Sequence, residues 1–133
     1  MEVLASRVLL RPSNLAASRL FYRDSLGLPS TASSAIQRIP VVFFMGGGFL
    51  EISGAGSERA PPNRSLWLQM RYVAAEHRRL LALGVDIVEA SCRQPCGLTE
   101  MWLADPDRIR IGLVEVSEEH PLRRDLRSFT PVE

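Results

Sequence analysis

The sequence predicts an α+β protein built from two successive βαβββ units. Three observations carry this reading. Alternating apolar segments, the mark of half-buried strands, surround one helical segment in each half of the chain. Each helical segment closes on a glycine, Gly27 and then Gly84. The closing triplet Leu26-Gly27-Leu28 returns 57 residues later as Leu83-Gly84-Val85, which marks an internal duplication. The units cover about 6–53 and 65–115 within a single domain 1–116, and 117–133 form a tail.

The elements follow in order. RVLLRP (7–12) alternates as a strand, with Val8, Leu10 and Pro12 on one face and Arg7, Leu9 and Arg11 on the other. Ser13 or Asn14 supplies an N-cap for a helix over 15–26, whose stripe is Leu15, Ser18, Tyr22 and Leu26. After the poorly patterned LPSTASSAIQR come two strands, IPVVFFM and GFLEIS, joined at Gly46-Gly47-Gly48. GAGSERAPPN is a connector. LWLQM then alternates, with Leu66, Leu68 and Met70 opposite Trp67 and Gln69. AAEHRRLLALG is a helix, VDIVEA a strand, and EMWLA and RIRIGLVEV a pair flanking Asp105-Pro106-Asp107. The tail carries one short helix.

Bulk numbers remove several classes of function. A length of 133 residues suits one domain with a proper core. A formal net charge of +1 argues against nucleic-acid binding, and no apolar run approaches the roughly 18 residues of a membrane span. With no secretory signal pattern at the N-terminus, the expected compartment is the cytoplasm. All 16 basic residues are arginine, which excludes a lysine base or Schiff base. The only histidines are His77, on or beside the helical stripe, and His120, in the tail. Cys92 and Cys96, in the loop SCRQPCG, read as free thiols because a structural zinc would lack ligands. Glu51 is the anomaly: a carboxylate in MGGGFLEIS that faces either water or a cavity.

The stretch RVLLRPSNLAASRLFYRDSLGL resembles the opening of the vicinal oxygen chelate superfamily, which includes glyoxalases, bleomycin-resistance proteins and extradiol dioxygenases. Asn14-Leu15, Ser18, Phe21-Tyr22 and Leu26-Gly27-Leu28 carry the likeness, with Asn14 in place of the usual aspartate. GGGFLEIS resembles the fourth strand of that family, and PCGLTEMWLADPD its segment ending in D-P-D-G. Arg108 stands where that motif has glycine, at a position that often needs positive φ. The resemblance implies two curled mixed sheets enclosing a cavity, with Glu51 pointing into it.

Metal-using relatives hold a divalent ion through one residue on each of four strands. Carried onto this chain, those positions hold Arg7, Glu51, Ser65 (Arg64 with a one-residue slip) and Gly112. A guanidinium cannot ligate a cation, and glycine has no side chain, so no metal or other cofactor is expected. Arg7 is expected to replace the metal as the positive partner of Glu51. Strand parity makes Arg7, Leu9, Arg11, Phe49, Glu51, Trp67, Gln69, Arg110 and Gly112 the candidate ligand-binding residues, with Gly112 leaving room for the ligand.

These features suit a small organic ligand with an aromatic body and polar edges. The leading expectation is a metal-independent binding protein of the bleomycin-resistance type, sequestering a drug-like molecule as a homodimer. The alternative is a glyoxalase-like lyase, isomerase or dioxygenase, with a divalent metal or with Glu51 as a base of raised pKa. A regulatory subunit with a vestigial cavity is a third reading. No nucleic acid and no membrane are expected as partners.

Overall fold

The computed structural model describes residues 1–31, 41–56 and 63–121. Among these residues are seven strands in two mixed sheets, which form no closed barrel. In chain order these are β1 (Arg7–Leu10), α1 (Leu15–Leu20), β2 (Val41–Met45), β3 (Gly48–Ile52), β4 (Ser65–Met70), α2 (Val73–Ala82), β5 (Ile87–Arg93), β6 (Thr99–Ala104) and β7 (Arg110–Glu115).

The two sheets repeat one topology. The first has the order β1-β3-β2 and the second β4-β7-β6-β5, with the opening strand of each parallel to its last. The place that β5 takes beside β6 is taken in the first sheet by residues 29–31, which run antiparallel to β2 through a bridge between Ser30 and Phe43. The first sheet therefore has three strands among the described residues, where a βαβββ unit would have four. Most of LPSTASSAIQR lies outside them.

Sequence periodicity explains which face of each sheet is dry. Phe43, Leu50 and Ile52 are buried against Tyr22 on the helix side of the first sheet. Met101, Leu103, Ile111 and Leu113 do the same for the second sheet against Val73 and Leu80. Leu66, Leu68 and Met70 join this core, whereas Trp67 and Gln69 on the opposite face are exposed. Both helical sides merge into one cluster.

The first helix departs from expectation. Asn14 caps it, accepting from the Ala17 N–H at 3.0 Å, but the α-helix runs only to Leu20. Phe21–Ser25 widen into a π-helical turn, in which the Leu26 N–H bonds the Phe21 carbonyl at 2.9 Å. Gly27 then takes the left-handed conformation at φ +71°. Arg79 of α2 donates to the Ser25 and Leu26 carbonyls left open at this end, at 2.8 and 3.4 Å.

Two further boundaries shift. The first strand ends at Leu10 rather than Pro12, because Pro12 has no N–H to continue the ladder. Its carbonyl instead accepts from Gly56. The strand β5 continues through Ser91 and Cys92 to Arg93, helped by two register shifts against β6, so Cys92 lies in a strand and not in a loop. The expected tail helix falls almost wholly outside the described residues.

The turn between β6 and β7 locks the two units together. Asp105 Oδ1 accepts the N–H groups of Asp107 and Ile109, each at 2.8 Å, while Oδ2 accepts the Tyr22 hydroxyl at 2.8 Å. Asp107 accepts the Ser13 N–H at 3.1 Å and also its hydroxyl. Both aspartates are buried, and burial pushes the Asp105 carboxyl above the ordinary aspartate range. The Ile109 N–H, then the Tyr22 hydroxyl, pull it back down. Arg108 adopts φ +69°, as its place in a glycine position required, and it pairs with Asp86 at 2.6 Å.

Tyr22→Phe is expected to cost about 1–3 kcal/mol in urea unfolding, the penalty of an unmet buried acceptor, and to move the Asp105 pKa further up. Arg108→Gly removes the left-handed strain at the loss of a surface ion pair. It is expected to leave stability unchanged or to raise it by about 1 kcal/mol, and a lower urea midpoint would refute that.

Candidate functional site

The parallel register of β1 on β3 places Arg7 beside Phe49 and Leu9 beside Glu51. All four belong to the helix-free face of the first sheet. There Arg7 Nη1 donates to Glu51 Oε1 at 2.8 Å, and the Ser53 hydroxyl donates to Glu51 Oε2 at 2.7 Å. Both carboxylate oxygens are engaged. The Ser53 hydroxyl, then the Arg7 guanidinium, hold the Glu51 carboxyl below the usual glutamate range, and the charge of Arg11 adds to this. The Glu51 side chain is 13% exposed and that of Arg7 48%. Glu51 is thus largely sheltered and paired through both oxygens.

On the second sheet, Trp67 pairs in register with Gly112 of β7, and Gly112 with Trp102 of β6. A Cβ at Gly112 would lie 2.8 Å from the Trp102 ring. The expectation that Gly112 makes room for a ligand is therefore corrected, since the indole of Trp102 fills that room. The Arg110 guanidinium sits 5.0 Å above the same ring and pairs with Glu89 at 3.2 Å. Trp102 was missed in the sequence. The signal was the antiparallel hairpin about Asp105-Pro106-Asp107, whose register sets Trp102 opposite Gly112.

The candidate residues do not converge on one cavity within the chain. Leu9 and Arg11 border a cavity of about 850 Å³ between β1 and β4. Trp67 and Gln69 border a hollow of about 320 Å³ with Leu28, Phe44 and Met45. Arg7, Phe49, Glu51, Arg110 and Gly112 line neither of these two. Phe49 instead stacks edge-on against Phe44, with ring centres 5.4 Å apart. His77 bonds the Ser91 hydroxyl at 3.1 Å between α2 and β5, a packing role. Cys92 and Cys96 are free and exposed.

No family model matches the sequence, and no curated protein does. Solved structures do match. A protein of unknown function from Agrobacterium tumefaciens superposes with a TM-score of 0.69 at 22% identity, over 88% of this chain and 95% of that one. A glyoxalase-related enzyme from Fulvimarina pelagi gives 0.67 at 22% identity, over 87% and 89% of the two chains. A lactoylglutathione lyase from Agrobacterium tumefaciens gives 0.62 at 18% identity, over 86% and 94%. The chain has the vicinal oxygen chelate fold.

Metal-using proteins of that fold hold the ion through four strand positions, and the residues at those positions here can be tested for fit. Arg7 is a permanent cation, and Glu51 has both oxygens bonded. Ser65 offers a neutral hydroxyl on an exposed residue, and Gly112 offers nothing beneath Trp102. Among the described residues no three His, Cys, Asp or Glu side chains group closely enough to hold a metal ion. The donor set does not fit a divalent cation. No helix among them is long and apolar enough to cross a membrane.

Because the folded Glu51 pKa lies below its unfolded value, its contribution to stability is present above the unfolded pKa. It is lost as pH falls through the folded one. Arg7→Ala and Ser53→Ala are each expected to raise the Glu51 pKa in carboxyl-detected NMR titration, Ser53→Ala at least as much. They should also flatten the acid limb of the stability profile.

Proposed function

We propose that this protein binds a small, partly aromatic organic molecule without a metal, in the manner of bleomycin-resistance proteins. A second copy of the chain completes the site. The observation that supports this best is the Arg7–Glu51 pair at 2.8 Å, a guanidinium in the place where relatives of this fold carry a metal ligand. The glutamate is neutralised by the chain itself, so no cation is needed to balance it.

The exposed apolar surface favours a dimer. Leu9, Phe44 and Trp67 are 51%, 41% and 49% exposed, all on helix-free faces. Such residues are normally covered when they cluster. A partner laid over these faces would turn the shallow hollow at Trp67 into an enclosed pocket, with Gln69 as its polar edge. The proposed setting is the cytoplasm, consistent with the free thiols.

The names of two neighbours, a glyoxalase-related enzyme and a lactoylglutathione lyase, favour an enzyme as the second reading. Glu51 is a poor base for it. A base working near neutral pH needs a raised pKa, and that of Glu51 is lowered.

Native mass spectrometry of the purified protein is expected to give a dimer without a stoichiometric divalent ion; a bound ion would favour the enzyme. In a thermal-shift screen of aromatic compounds, a binder at 100 times its Kd should add about 2.7 kcal/mol of stability. Trp67→Ala should abolish the shift.

A further inference from the structure

A cavity lies at the seam between the two units, reaching the edge of the helix-free face at Leu9 and Arg11. Its walls include Val8, Leu9, Leu10 and Arg11 in unbroken succession, and likewise Asn63, Arg64, Ser65 and Leu66. Successive strand side chains point to opposite faces, so a cavity that touches each one in turn lies against the edge of the strand. Both strands are sheet edges: β1 ends the first sheet and β4 the second. The volume of about 850 Å³ is within the range of small-molecule sites, roughly 300–1,000 Å³.

Donors and acceptors in this wall are out of balance. The carboxylate acceptors are committed: Asp105 receives the Asp107 and Ile109 N–H groups and the Tyr22 hydroxyl, and Asp107 receives Ser13. The donors are not. The Ser18 hydroxyl is buried with no partner, an unusual state for a buried polar group. The Arg11 and Arg64 guanidiniums make no hydrogen bond or ion pair among the described residues. Between them the lining is apolar, with Val8, Leu10, Ile52, Leu66 and Ile109.

We infer that this seam cavity binds an amphipathic carboxylate, whose apolar body lies along the two strand edges and whose oxygens take up the unspent donors. This goes beyond the dimeric pocket proposed above and does not depend on it. A carboxylate supplies acceptors only, which is what the Ser18 hydroxyl and the two guanidiniums require. Arginine recognises it through paired N–H groups.

Octanoate and 1-octanol share a tail and differ in the head, so titrating each while following backbone amide shifts tests the inference. Octanoate is expected to bind about tenfold more tightly than octanol, the worth of one charge-assisted hydrogen bond. Its shifts should fall on Val8, Leu10, Leu66 and Ile109. Arg64→Met keeps the apolar stem on an exposed residue and is expected to erase the tenfold preference while leaving the urea midpoint in place. Equal binding of the two probes, an unchanged preference in Arg64→Met, or shifts centred on Phe44 and Trp67 would each overturn it. The last outcome would move binding to the helix-free faces and leave the dimeric reading standing.

Discussion

The junction between the two units rests on the carboxylates of one turn. Asp105 and Asp107 are buried, and their hydrogen bonds reach across the duplication to Tyr22 and to Ser13 at the head of the first helix. A buried charge is costly unless it is hydrogen-bonded. The turn is therefore stable only where the first unit meets it, and each unit completes the other. Arg79 repeats the arrangement from the opposite side, closing the end of the first helix from the second. The merged core around Tyr22, Leu50, Met101 and Ile111 lies between these ties.

With the helical sides joined in this way, the two helix-free faces carry the remaining chemistry, and Phe44 of one and Trp67 of the other border a common hollow. On one, Arg7 and Ser53 occupy both oxygens of Glu51. On the other, Trp102 closes the space over Gly112, and Arg110 covers Trp102. The positions where metal-using relatives place their ligands hold here an ion pair, a serine hydroxyl, and a glycine beneath an indole. The faces keep apolar surface at Leu9, Phe44 and Trp67, which is where the proposed partner and ligand belong.

Much of the fold was legible because it follows from local rules. Alternation separated Leu66, Leu68 and Met70 from Trp67 and Gln69, and the structure keeps that division. Asn14 and Gly27 marked the ends of the first helical segment, although its second half is π-helical, a change in hydrogen-bond register with no signature in the order of side chains. The Arg7–Glu51 pair was legible only through the resemblance, which set a cation beside Glu51 and put Arg7 in a metal-ligand position. Trp102 was not. Its importance comes from a partner ten residues on, and only the hairpin register brings the indole over a missing Cβ.

The sequence by itself determined the repeated strand and helix order and the dry face of each strand. Those depend on periodicity and on residue type, which the chain displays directly. Tertiary structure alone decided that Leu9 and Arg11 border a different hollow from Trp67 and Gln69, and that the D-P-D turn joins the units. It also opened a cavity between two strand edges. These are matters of how far apart whole sheets settle, and that distance is set by the sum of core packing rather than by any single residue.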